Sequence, residues 1–127
     1  MIEINAALDP EGLLERCSIT GHAGAGPRGN DIVCAAVSVL ARTGSAVLSE
    51  RPGIKVRQTA PNRGLFQMDI ECDPAEKSFL DAAGTFLLEG LVSVSKEYPD
   101  YCNIVITRRN YYGSETRRKR RQKRTGF

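Results

Sequence analysis

Apolar and polar residues alternate over the first eight positions: Ile2, Ile4, Ala6 and Leu8 fall on one side, Glu3 and Asn5 on the other. A period of two is that of an amphipathic strand. Asp9-Pro10-Glu11-Gly12 is a turn by its residue types, and Leu13, Cys17 and Ile19 continue a second strand around Glu15, so residues 1–20 read as a hairpin. From Asp31 the period changes. Ile32, Val33, Ala35, Ala36, Val37, Val39, Leu40 and Ala41 surround most of a helical wheel, which predicts a largely buried helix. Asn30 and Asp31 suit its N-cap, and Gly44 or Pro52 its end. Two strands follow, 54–58 and 65–71, joined by "TAPNRG"; in the second, Phe66, Met68 and Ile70 face one way and Gln67, Asp69 and Glu71 the other. Asp73-Pro74-Ala75-Glu76 is a capping-box pattern. It introduces a second helix with the stripe Phe79, Ala83, Phe86, Leu87, Leu91, Val94 and Tyr98, ended by Pro99. A last strand covers 103–108. The order ββαββαβ predicts a two-layer α+β domain, a mostly antiparallel sheet covered by two long helices.

Composition adds limits. With 127 residues, 41% of them apolar and no tryptophan, the chain fits one domain with a modest aliphatic core. The net charge of +3 conceals a division. Residues 1–116 hold 11 basic against 15 acidic side chains, a net −4, and the other seven basic residues form one run, "RRKRRQKR". Residues 1–110 are therefore expected to form the domain and 111–127 a basic tail without structure of its own. Arg117, Arg118, Lys119, Arg120, Arg121, Lys123 and Arg124 are candidates for salt-sensitive contacts with RNA phosphates, and Tyr111, Tyr112 and Phe127 for stacking on bases. An acidic start without a basic n-region argues against a secretory signal. The absence of an unbroken run of about 18 apolar residues argues against a membrane span. A cytoplasmic protein is expected. Cys17, Cys34, Cys72 and Cys102 show no CxxC spacing, and His22 is the only histidine, so neither a metal nor a cofactor is expected.

The stretch "GHAGAGPRGNDIVCAAVS" (21–38) carries most of the chemistry. Gly24, Gly26 and Gly29 match GxGxxG, but Asn30 and Asp31 start the helix after the third glycine. Glu50 does not end the following strand, and repeated βαβ halves are missing, so the dinucleotide reading falls. With Asp31 as N-cap, Cys34 is the third helical residue, where free amides and the helix dipole favour thiolate. The same amides are suited to hold an oxyanion. His22 ends the preceding strand, and the glycine loop can fold it back toward the sulfur, the arrangement thiol acyl transfer requires. Asp31, Cys34 and Ser38 share one helical stripe. On residues alone a second reading stays open, in which Cys34 is a small core side chain.

Gly21-His22-Ala23, Gly29, Asp31-Ile32-Val33-Cys34-Ala35-Ala36 and Ser38, with a twelve-residue step from His22 to Cys34, resemble the signature of the ribosomal-processing cysteine protease family, Prp. The likeness runs over residues 1–108 and includes "EYPDY" (97–101). It implies an α+β homodimer with Cys34 as nucleophile and His22 as general base. The implied substrate is the N-terminal extension of large-subunit ribosomal protein twenty-seven, cut after an aromatic pair and before a small residue. Asp31 and Ser38 match motif positions, with helix capping and a hydrogen bond from the site wall as their expected roles, and Gly21 and Gly29 match as supporting residues. The chain departs from the family pattern at Pro27 and Arg28, where an aromatic or acidic residue is usual, and in its basic tail. The alternative from another class is a non-catalytic RNA- or ribosome-binding protein acting through that tail.

Overall fold

The computed structural model describes residues 1–22, 31–60, 64–110 and, for the backbone alone, 115–119. Strands β1 (Ile2–Leu8) and β2 (Leu14–Thr20) form the expected hairpin, paired from Glu3↔Thr20 to Leu8↔Leu14. Asp9 closes its turn by accepting the amides of Glu11 and Leu13 at 2.9 Å. Then come helix α1 (Ile32–Ser49), β3 (Ile54–Thr59), β4 (Leu65–Cys72), a 3-10 turn (Pro74–Glu76), α2 (Lys77–Glu97) and β5 (Cys102–Arg109). The order ββαββαβ is as expected. A sixth strand, β6 (Glu115–Lys119), pairs antiparallel with β5. The basic tail thus enters the sheet over these five residues, where no structure was expected; without them β5 would be an edge whose amides and carbonyls lack a partner. Arg120, Arg121, Lys123 and Arg124 lie outside the described residues, as do Tyr111, Tyr112 and Phe127.

The sheet runs β3-β4-β2-β1-β5-β6 and is antiparallel except where β1 lies parallel to β5, Ile2 opposite Cys102. Alternation then separates its faces. Ile2, Ile4, Ala6, Cys17, Ile19, Met68, Ile70, Ile104 and Ile106 are buried beneath the helices. The opposite face is polar: Arg16 pairs with Asp69 at 2.7 Å, and Asn103 donates to Glu3 at 3.2 Å.

Three local expectations fail for physical reasons. Helix α1 buries only the stripe Val33, Val37, Ala41, Ser45 and Leu48, leaving Ile32 60% and Val39 56% exposed, because in a two-layer domain the sheet and the neighbouring helix leave the helix's outer side uncovered. The capping box does not form. Asp73 makes no side-chain cap bond, and Glu76 accepts instead from Arg51 Nε and Nη2 at 3.1 and 2.9 Å. In α2 the buried residues are Leu80, Gly84, Leu87, Leu88, Leu91, Val92 and Ser95, while Phe86 is 76% exposed. Small residues turn the helix: a Cβ on Gly84 would lie 3.3 Å from Leu14 Cβ, and Ser95 Oγ donates to the Cys102 carbonyl at 3.0 Å.

A fourth expectation concerns the membrane. The segments Ile32–Ser49 and Pro74–Glu97, with mean hydropathies of 1.7 and 1.2, are long and apolar enough to cross a membrane by length and composition. Neither is an unbroken apolar run: Arg42 and several Ser, Thr and Gly interrupt the first, and Asp81 and Glu89 the second. Here α2 packs on β2 and β5, and α1 on β3 and α2.

Candidate active site

Residue 22 follows the last residue of β2 by two positions, and residue 34 lies in the first turn of α1. Two backbone features bring these points together. Gly21 has φ +94, which breaks the strand's alternation, and a Cβ there would strike the Met1 carbonyl, so the position admits only glycine. At the helix start Asp31 is the N-cap, extended at φ −80 and ψ 104, and its Oδ1 accepts from the Val33 and Cys34 amides, each at 3.0 Å. Asp31 is thus the expected cap. These bonds occupy the Val33 and Cys34 amides, whereas the amides at the start of the helix were expected to be unpaired and to suit an oxyanion.

A cleft of about 640 Å³ opens between the first three turns of α1 and the adjoining ends of β1, β2 and β4. Gly21, His22, Asp31, Cys34 and Ser38 all line it. His22 and Ser38 are exposed and Cys34 half-buried, and all three border the same solvent-accessible space. Gly29 lies outside the described residues, as do Gly24, Gly26, Pro27, Arg28 and Asn30. Arg117, Arg118 and Lys119 belong to β6, which is separated from β2 by β1 and β5.

The floor and far wall were not foreseen. Ile2 and Ile19 contribute from the sheet, Val37 and Ala41 from α1, and Leu65 and Phe66 from β4. This apolar lining suits bulky side chains of an extended peptide, while Asp31 and Arg42 supply one charge of each sign. One sequence signal for β4's contribution existed: Gly64, immediately before the strand, has φ +81, as a tight return requires.

The other thiols have different surroundings. Burial pushes Cys17 up to about 12 and Cys102 up to about 11. Cys72, raised by burial and then by the Glu76 carboxylate, donates to the Asp73 carbonyl at 3.2 Å. None of the four cysteines is in a disulfide, and Cys34 is the one that lines the cleft. Among the described residues no three His, Cys, Asp or Glu side chains converge as metal ligands.

A family profile described as cysteine protease Prp matches residues 1–103. Among solved structures, the Staphylococcus aureus ribosomal processing protease Prp with a covalently linked product peptide is similar at a TM-score of 0.73 and 21% identity, covering 82% of this chain and 97% of that one. The same S. aureus protease with a substrate peptide is similar at a TM-score of 0.69 and 19% identity, with coverages of 84% and 99%. A Streptococcus mutans protein is similar at a TM-score of 0.70 and 27% identity, with coverages of 86% and 96%. Among curated proteins, none matches.

Proposed function

The chain belongs to the cysteine protease Prp family, and from that premise we propose that it cleaves the N-terminal extension from large-subunit ribosomal protein twenty-seven with a Cys34–His22 dyad. The observation that carries this reading is that one thiol of the four, Cys34, and the only histidine line a single cleft with an apolar floor. In the reaction Cys34 Sγ passes its proton to His22 and attacks the peptide carbonyl carbon, giving a tetrahedral oxyanion. Collapse expels the amine of the downstream product, which takes the proton from His22, and leaves a thioester on Cys34. Water, losing its proton to His22, then adds to the thioester carbonyl and releases the carboxylate product and the thiol. Asp31 holds the first turn of α1 still, so that Sγ is presented from a fixed backbone. Ser38, one helical turn further along the same wall, donates to the bound peptide.

The protein works in the cytoplasm as a homodimer and needs no cofactor. Four cysteines outside any disulfide support a reducing compartment. The exposed Ile32, Val39 and Phe86 on the outer faces of the helices support a second copy as their cover. The basic run 117–124 supports a contact with ribosomal RNA that keeps the enzyme near its substrate.

Mass spectrometry of the host's ribosomal protein twenty-seven, after incubation with this protein and with Cys34→Ala, tests the reading. One discrete N-terminal cut is expected with the former and none with the latter. An extension left intact by the unaltered protein sinks the proposal and favours a ribosome-binding role through the tail.

A further inference from the structure

We infer that Gly64 is a positioning residue for the catalytic base, with the β3–β4 hairpin holding the His22 imidazole in the cleft through its own backbone. The inference rests on His22 acting as the base in the reaction proposed above. The β2–β4 ladder pairs Thr20 with Leu65, and the next rung is made by two glycines: the Gly21 amide donates to the Gly64 carbonyl at 2.8 Å. Both lie at positive φ, +94 and +81. Gly21 needs its glycine because of Met1, but Gly64 needs it because of the histidine. A Cβ on Gly64 would lie 2.7 Å from His22 Nε2 and 3.0 Å from Cε1, with the Gly21 carbonyl next at 3.3 Å. The ring nitrogen therefore rests in the space a side chain would occupy.

This contact has a particular weight because, among the described residues, no hydrogen bond reaches the His22 ring. What bounds the imidazole is the backbone of a hairpin anchored by two ladders, β4 with β2 and β4 with β3. From α1 and its cap the titratable or charged residues that line the same cleft are Asp31, Cys34 and Arg42. Moving the ring off Gly64 changes its position relative to all three. The chain also supplies a control for backbone strain. Gly12 has φ +91 in the β1–β2 turn, yet a Cβ there meets only the flexible Arg108 guanidinium at 3.7 Å. Alanine at either glycine imposes the same left-handed strain, and only at position 64 does it also displace the imidazole.

The experiment is the rate of Cys34 alkylation by iodoacetamide at neutral pH, read by peptide mass spectrometry in five folded proteins: unaltered, His22→Ala, Gly64→Ala, Gly12→Ala and the double variant His22→Ala/Gly64→Ala. A base that draws the proton from Cys34 raises its thiolate fraction, so His22→Ala is expected to slow alkylation about tenfold, the change in thiolate for one pKa unit. Gly64→Ala is expected to slow it by a similar factor, Gly12→Ala to leave it unchanged, and the double variant to match His22→Ala. In peptide cleavage Gly64→Ala should lower kcat and leave KM nearly as it was. If His22→Ala slows alkylation and Gly64→Ala does not, the positioning role is wrong while the dyad stands. If His22→Ala itself leaves alkylation unchanged, the dyad reading fails and takes this inference with it. A double variant slower than His22→Ala, or a Gly64→Ala protein that does not fold where Gly12→Ala does, overturns the inference as well.

Discussion

Cys17 exposes 0% of its surface and Cys102 1%, and burial pushes their thiols up to about 12 and about 11. Both therefore remain neutral, whereas Cys34, on the cleft wall, has to lose its proton in the proposed reaction. The same burial sets an alkaline limit on stability. A group whose pKa is raised by folding contributes fully below its unfolded value, here 9.0, and loses that contribution as the pH climbs toward its folded one. Between pH 9 and pH 11 the chain should lose about 1.4 kcal/mol per unit through Cys17. Urea unfolding of Cys17→Ala beside the unaltered protein should give a pH slope shallower by that amount; parallel slopes refute the assignment. His22, Asp31, Cys34 and Ser38 were legible because strand end, cap and helical stripe are local patterns. Leu65 and Phe66 were not, because their place on the cleft wall comes from the β2–β4 register, which joins residues some 45 positions apart.

Helix α1 shows how far local rules reach. Its start follows from Asp31 alone, whose carboxylate satisfies two amides that nothing else in the helix can. Asp31→Ala should cost about 1 kcal/mol of stability, seen as a lower urea midpoint with an unchanged slope. A midpoint equal to that of the unaltered protein would exclude the capping role. At α2 the same kind of reasoning failed, since Glu76 fits a capping box as well as it fits Arg51, and Arg51 is brought to it by the turn before β3. Two charge-assisted hydrogen bonds from Arg51 to the single oxygen Oε1, with the guanidinium also 4.6 Å above the Phe79 ring, outweigh one hydrogen bond to a backbone amide.

Across the assembled molecule, one face of the sheet is covered by two helices and the other is polar, which leaves the outer sides of α1 and α2 to be accounted for. Val39 is 56% exposed at mid-helix, with Ile32 two turns before it and Phe86 on the neighbouring helix at 76%. Placing a charge there, as in Val39→Glu, should convert the proposed dimer to a monomer in sedimentation velocity without lowering the thermal midpoint of the monomer; a dimer that survives would put the interface elsewhere. The alternation of residues 1–20, the helical runs from 32 and 77, and the Asp31–Cys34 spacing all follow from periods of two and 3.6 residues, which the chain carries in its own order. Four features do not: the parallel union of β1 with β5, the entry of the basic tail as β6, the rotation of α2 that exposes Phe86, and the meeting of Gly64 with His22. Each depends on which distant backbone groups and surfaces remain unpaired once the hairpin has formed, and that is settled only when the layers close on one another.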